Sequence, residues 1–154
     1  MAQISTARMG DSEQTRELVA ALTPKVRDCR EALRAQAVGN ALYGLQRMGD
    51  SEQTRGLVAA LIPKVRDCRE ALDTQAVGNA LCGLRHMGDS EQTRELVAAL
   101  IPKVEQCRDE LRKRRVDLAL SQLPRFGDSD EVRDLMLVFL DKGFERAFES
   151  RFSS

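Results

Sequence analysis

The chain has 154 residues, of which 42% are apolar and 31% charged, the size of one ordinary domain with enough apolar material for a core. Its 24 basic and 24 acidic residues cancel to a net charge of zero, so the whole-chain basic field that marks many nucleic-acid binders is missing, while local patches stay open. No apolar run approaches the roughly 20 residues that span a bilayer, and Met1 to Gly10 lacks the apolar core of a secretory signal. The expectation is therefore a soluble chain with no membrane contact, and its opening in mid-repeat leaves room for a targeting segment outside it.

Residues 1–8 read as a worn remnant of a helix that would precede the first full repeat. From Met9 the organisation is periodic. The string MGDSEQTR starts at Met9, Met48 and Met87, always 39 residues on, and a diverged FGDSDEVR starts at Phe126. The first two copies differ at seven positions: Glu17/Gly56, Thr23/Ile62, Arg34/Asp73, Ala35/Thr74, Tyr43/Cys82, Gln46/Arg85 and Arg47/His86. A fixed period of this length is the signature of a repeat architecture in which no single unit can hide its own apolar face. The predicted fold is all-α: one α-solenoid domain over 1–154, with helix-turn-helix repeats at 9–47, 48–86 and 87–125 and a capping helix at 126–154.

Within a copy, Asp11 with Gln14 has the spacing of a capping box that starts helix A, and Asp128 with Glu131 repeats it. Leu18, Leu22, Val26, Cys29 and Leu33 recur at steps of four and three, predicting a helix from about residue 12 to about residue 32. Pro24 falls opposite that stripe and reads as a solvent-side kink. The mixed charges Glu13, Arg16, Glu17, Arg27 and Glu31 form the outer face. Helix B begins near Arg34, buries Val38, Ala41, Leu42 and Leu45, and ends at Met48-Gly49, the glycine closing the helix. Gly39, Gly44, Gly78 and Gly83 weaken helix B by roughly 1 kcal/mol each, so their recurrence predicts close approach of neighbouring backbones. With almost no partner ahead of the first copy, apolar surface near Leu18 and Val19 is expected to be exposed, making self-association through the open end a second expectation. The final helix is expected over 128–151. Its stripe Phe144, Phe148 and Phe152 is either a cap over the end or an exposed contact.

Three constellations bear on function. On helix B, opposite the apolar stripe, Gln36, Asn40, Tyr43 and Arg47 form one ridge. Gln75, Asn79, Cys82 and His86 continue it in copy two, and Arg114, Leu118, Ser121 and Arg125 in copy three. An aromatic platform, amides and an arginine suit single-stranded nucleic acid; the plainer alternative is a solvated helix face. Arg112, Lys113, Arg114 and Arg115 form the one dense basic run, either a phosphate anchor or an exposed turn. Cys29, Cys68 and Cys107 hold one position of successive copies. Stacked helices sit roughly 8–10 Å apart, too far for a disulfide or a shared zinc site, so they read as core. Cys82 stands on the ridge as a candidate exposed thiol. With His86 the lone histidine, no His-based catalytic pair, metal site or cofactor is expected, and catalysis is not expected either.

The segment Gln36-Ala-Val-Gly-Asn-Ala-Leu-Tyr-Gly-Leu, echoed at Gln75 to Leu84, resembles the octotricopeptide-type helical repeats of organellar RNA-binding proteins, including algal chloroplast translation factors and RAP-domain proteins. The comparable helix of that family reads Gln-x-x-x-Asn-x-Leu-aromatic-x-Leu, matched here by Gln36, Asn40, Leu42, Tyr43 and Leu45. Copy two carries Cys82 at the aromatic position, and copy three lacks the glutamine, asparagine and aromatic. The resemblance implies an α-solenoid that binds single-stranded RNA in a chloroplast or mitochondrion. The alternative partner, favoured by zero net charge, is a protein or peptide held on a scaffold.

Overall fold

A computed structural model describes residues 12–49, 51–84, 87–88, 90–107, 111, 116, 120 and 129–144, with the side chain of Arg47 excepted. The secondary structure among the described residues is all helical, with no strand. The helices are α1 (Glu13–Asp28), α2 (Ala35–Gly44), α3 (Glu52–Arg66), α4 (Thr74–Leu84), α5 (Glu91–Glu105) and α6 (Asp130–Asp141). A short 3-10 turn, Leu45–Arg47, closes α2. Helices α1, α3, α5 and α6 start at one position of successive 39-residue copies and pack each on the next in a row; α2 packs on α4 in a second row. Val116 and Leu120 are helical and buried, one period beyond Val77 and Leu81. One apolar cluster runs between the rows from Val19 to Phe144.

Each first-row helix starts the same way, but on the serine rather than the aspartate. Ser12, Ser51, Ser90 and Ser129 are the N-caps, each accepting from the backbone N–H three residues on: Thr15 at 3.2 Å, Thr54 at 3.1 Å, Thr93 at 3.1 Å and Val132 at 3.4 Å. In the first three copies the serine and threonine hydroxyls also pair, at 3.0, 3.0 and 2.9 Å. The serine wins because an N-cap oxygen must reach the N3 amide, and a threonine at N3 has a hydroxyl to return the bond. Asp11 and Asp128 lie outside the described residues.

These helices also end sooner than the apolar stripe predicts, at Asp28, Arg66 and Glu105 rather than near 32. Cys29 already has extended backbone, with ψ 124°. In copies two and three the stripe nevertheless stays inside beyond the helix ends, with Cys68, Leu72, Cys107 and Leu111 all buried. The helices do run through their prolines. Pro63 and Pro102 are exposed, so the Ala59 and Ala98 carbonyls that lose an N–H partner to them belong to exposed residues.

The glycine expectation holds at two positions. A Cβ on Gly39 would stand 2.9 Å from the Ala76 Cα, and one on Gly83 would run into the Leu42 carbonyl oxygen. A Cβ on Gly78 would meet nothing within 4 Å among the described residues, so its recurrence has no such account here. Gly49, at φ 66°, is the left-handed closing glycine predicted after Met48.

The last helix departs most from expectation. It stops at Asp141, where Gly143 at φ 94° closes it. Gly143 N–H donates to the Leu140 carbonyl at 3.0 Å and Phe144 N–H to the Phe139 carbonyl at 3.0 Å. This is a Schellman closure. The rings of Phe139 and Phe144 meet edge to face, centroids 5.8 Å apart, so Phe144 folds back as a buried plug rather than continuing a helical stripe; Phe148 and Phe152 lie outside the described residues. At the other end Leu18 is 38% exposed, as expected, but Val19 is 1% exposed. A residue's neighbours on the helix do not share its face: Val19 points into the core while Leu18 points ahead of it. The remnant at 1–8 is outside the described residues.

Candidate binding surface

The surface of interest rests on how α2 is held. Its first amide with no helical partner, Ala35 N–H, donates to Glu70 Oε1 of the following linker at 2.9 Å. Helix α4 caps itself instead: Asp73 Oδ1 accepts from Ala76 N–H at 2.8 Å. Copy one has Arg34 where copy two has Asp73, so the borrowed carboxylate replaces a cap the local sequence lacks. The Gly39–Ala76 and Gly83–Leu42 approaches then fix α2 against α4.

On the far side from Val38, Leu42, Val77 and Leu81 stand the ridge residues. Gln36, Asn40 and Gln75 are exposed, Tyr43 is 39% exposed, and Asn79 and Cys82 are half-buried. The structure thus brings six predicted ridge residues onto the outer face of two abutting helices. It makes an uncharged strip of four amides, one thiol and one phenol, able to stack on and hydrogen-bond a planar ligand. The Arg47 side chain, His86, Arg114, Leu118, Ser121 and Arg125 lie outside the described residues, as does the whole basic run Arg112, Lys113, Arg114 and Arg115.

The cysteines divide. Cys68 and Cys107 are buried, as expected of core positions, whereas Cys29 is exposed, correcting its placement; Cys82 is half-buried, and none of the four is in a disulfide. Cys29 differs because the edge of α1 that matches the buried edges of α3 and α5 is uncovered. No group of three or more His, Cys, Asp or Glu able to hold a metal occurs among the described residues. Two open, charged grooves exist elsewhere: about 620 Å³ among Ser90, Glu91, Arg94, Glu95 and Glu131, and about 360 Å³ among Arg30, Glu31, Ala32, Lys64, Asp67 and Arg69. Both mix charges of either sign.

Sequence reasoning missed the device that links the copies. Lys64 Nζ donates to the Cys29 carbonyl, Lys103 Nζ to the Cys68 carbonyl at 2.5 Å, and Lys142 Nζ to the Cys107 carbonyl at 2.8 Å. Each lysine reaches back to the C-terminal end of the previous first-row helix, where the macrodipole and the unpaired carbonyls favour a cation. Lys103 is 8% exposed, and burial of an ammonium is tolerated because it is bonded there. The signal was present: the lysine keeps its period into copy four, where the neighbouring proline and valine have become Asp141 and Gly143.

No family model, curated protein or solved structure matches the chain. No helix among the described residues is long and apolar enough to cross a membrane.

Proposed function

We propose that the chain is an α-solenoid of 39-residue repeats that binds single-stranded RNA along the outer ridge of its second-row helices. The observation that carries this reading is Tyr43, 39% exposed on the helix that also exposes Gln36 and Asn40, which packs against the helix that exposes Gln75. Stacking on one aromatic is worth about 1–3 kcal/mol per base, and amides read the edges of bases that single strands leave unpaired. Arg47, His86, Arg114, Ser121 and Arg125 extend the ridge in sequence, with Arg112 to Arg115 as its phosphate anchor. Ridge stacking at a fixed repeat supports recognition of successive nucleotides.

A second reading has one observation in its favour. The described part of the ridge carries no charge, which suits a polar peptide better than a polyanion. Fluorescence anisotropy of a mixed-sequence single-stranded RNA at two salt concentrations, with Tyr43→Ala and Asn79→Ala beside the parent, separates them. Salt-sensitive binding weakened about tenfold by Tyr43→Ala, near 1.4 kcal/mol, supports RNA. No binding at low salt removes RNA and leaves the protein scaffold.

A further inference from the structure

The four first-row helices are equivalent in sequence but not in burial. Leu57, Leu96 and Leu135 are 8%, 0% and 1% exposed, and Leu61, Leu100 and Phe139 are 4%, 1% and 0% exposed. Their equivalents in α1, Leu18 and Leu22, are 38% and 40% exposed. Ala21 and Cys29 are exposed, while Ala60, Ala99, Cys68 and Cys107 are buried. The one relevant difference is that α3, α5 and α6 each have a preceding first-row helix and α1 has none among the described residues. This edge of α1 is therefore the same surface that mates three times within the molecule, left open.

An apolar edge alone would not say what covers it. Lys25 does. Its equivalents Lys64, Lys103 and Lys142 each hold the carbonyl that follows the preceding first-row helix, whereas Lys25 is exposed with no such carbonyl among the described residues. A partner must bring main-chain carbonyls to that point, so it must present a helix C-terminus running parallel to α1. A twofold-related α1 running antiparallel would bring N–H groups to the ammonium, and one running parallel would set Lys25 against its own copy, a like-charge contact; both are unfavourable. The far end of a second copy is also a poor fit, since α6 closes at Asp141, about one turn before the repeat position at which α1, α3 and α5 end, and the Leu140 and Phe139 carbonyls there already accept from Gly143 and Phe144 N–H.

We propose that the Leu18–Leu22–Lys25 edge of α1 is a docking site for one more helix–linker–helix unit of the same repeat type. The unit seats its first helix parallel to α1 and places the carbonyl after that helix on Lys25 Nζ. Its apolar side covers Leu18, Ala21, Leu22 and Cys29 as copy one covers their equivalents in copy two.

The test uses the whole chain and the whole chain with residues 9–47 duplicated in tandem ahead of Met9, each with and without Lys25→Met in the original first unit. Hydrogen exchange across α1 and sedimentation of the unextended chain are the readouts. Docking slows exchange of the α1 amides by at least roughly tenfold, adds helicity in proportion to the added unit, and makes Lys25→Met costly only in the extended chain. Unchanged exchange in α1, an added unit that stays unfolded, or a silent Lys25→Met in the extended chain would overturn the proposal. So would an unextended chain that dimerises and is made monomeric by Leu18→Glu with Leu22→Glu, because the edge would then belong to a second copy.

Discussion

Replacing glycine by alanine inside a helix ordinarily stabilises by about 1 kcal/mol, and this molecule offers positions at which the same change has opposite signs. At Gly56, within α3, an added Cβ meets nothing within 4 Å, and the equivalent positions carry the long side chains of Glu17 and Glu95. Gly56→Ala is expected to stabilise by about 0.5–1 kcal/mol. At Gly83 the Cβ would collide with the Leu42 carbonyl oxygen, which is backbone and cannot rotate away; α2 and α4 must separate. Overpacking of this kind costs roughly 1–3 kcal/mol. Set against the propensity gain of about 1 kcal/mol, Gly83→Ala is a net loss of up to about 2 kcal/mol. Gly39→Ala, with Ala76 Cα at 2.9 Å, has the same sign and a smaller size. Urea unfolding followed by circular dichroism, with slopes compared to check that compactness is unchanged, measures all three. A Gly83→Ala variant as stable as Gly56→Ala would refute the claim that the second row is set by backbone contact.

Three further outcomes follow from the bonds between and within copies. Lys103→Met removes a buried charged donor from the Cys68 carbonyl and is expected to cost about 1.5–3 kcal/mol. Exposed Lys25→Met changes stability by less than about 0.5 kcal/mol, so equal losses in urea titrations would contradict the linking role. Ser51→Ala deletes the α3 cap and lowers stability by about 1 kcal/mol; Ser129→Ala, whose bond to Val132 is longer at 3.4 Å and lacks a hydroxyl partner, should cost less in the same assay. Gly143→Ala forces a Cβ onto a φ of 94° and is expected to lower the thermal midpoint through roughly 1–2 kcal/mol of strain; a midpoint at or above the parent's would count against the helix closure.

The helices were legible because periodicity is a local property: Leu18, Leu22 and Val26 announce α1, and Val38 and Leu42 announce α2, wherever the chain goes afterwards. What pattern reading misplaced were the boundaries. Cys29 and Leu33 fit the helical stripe as well as Leu22 does, since an apolar residue in an extended linker and one on a helix are buried for the same reason. The cap was misplaced by one residue because Asp-x-x-Gln and Ser-x-x-Thr overlap in GDSEQT, and only geometry says which oxygen reaches the amide. The link from Lys64 to Cys29 spans 35 residues and rests on the docking of whole copies, which no window of sequence contains. For the ridge, sequence placed Gln36, Asn40 and Tyr43 on one face, but the half-burial of Asn79 and Cys82 comes from neighbouring packing.

Four of the seven differences between copies one and two sharpen the functional reading once they are given their places. Thr23/Ile62 tracks burial: Ile62 is 4% exposed, while Thr23 is half-buried with its hydroxyl turned back onto the Val19 carbonyl at 2.7 Å. Arg34/Asp73 tracks capping, since Asp73 caps α4 and Glu70 serves α2 in place of Arg34. Glu17/Gly56 falls on the outer face of the first row, where an added side chain meets open space. Tyr43/Cys82 is different, for neither a cap nor the core needs a phenol there. Tyr43→Cys makes the ridge of copy one match that of copy two at Gln36, Asn40 and position 43 and removes only a partly exposed side chain, so it should cost no more than about 1 kcal/mol of stability. If the ridge is the RNA-contact surface, the same change weakens RNA binding by roughly tenfold, about 1.4 kcal/mol, in the anisotropy assay. A variant that loses stability and keeps full binding would mean that Tyr43 serves packing, and the ridge would then be an ordinary solvated helix face.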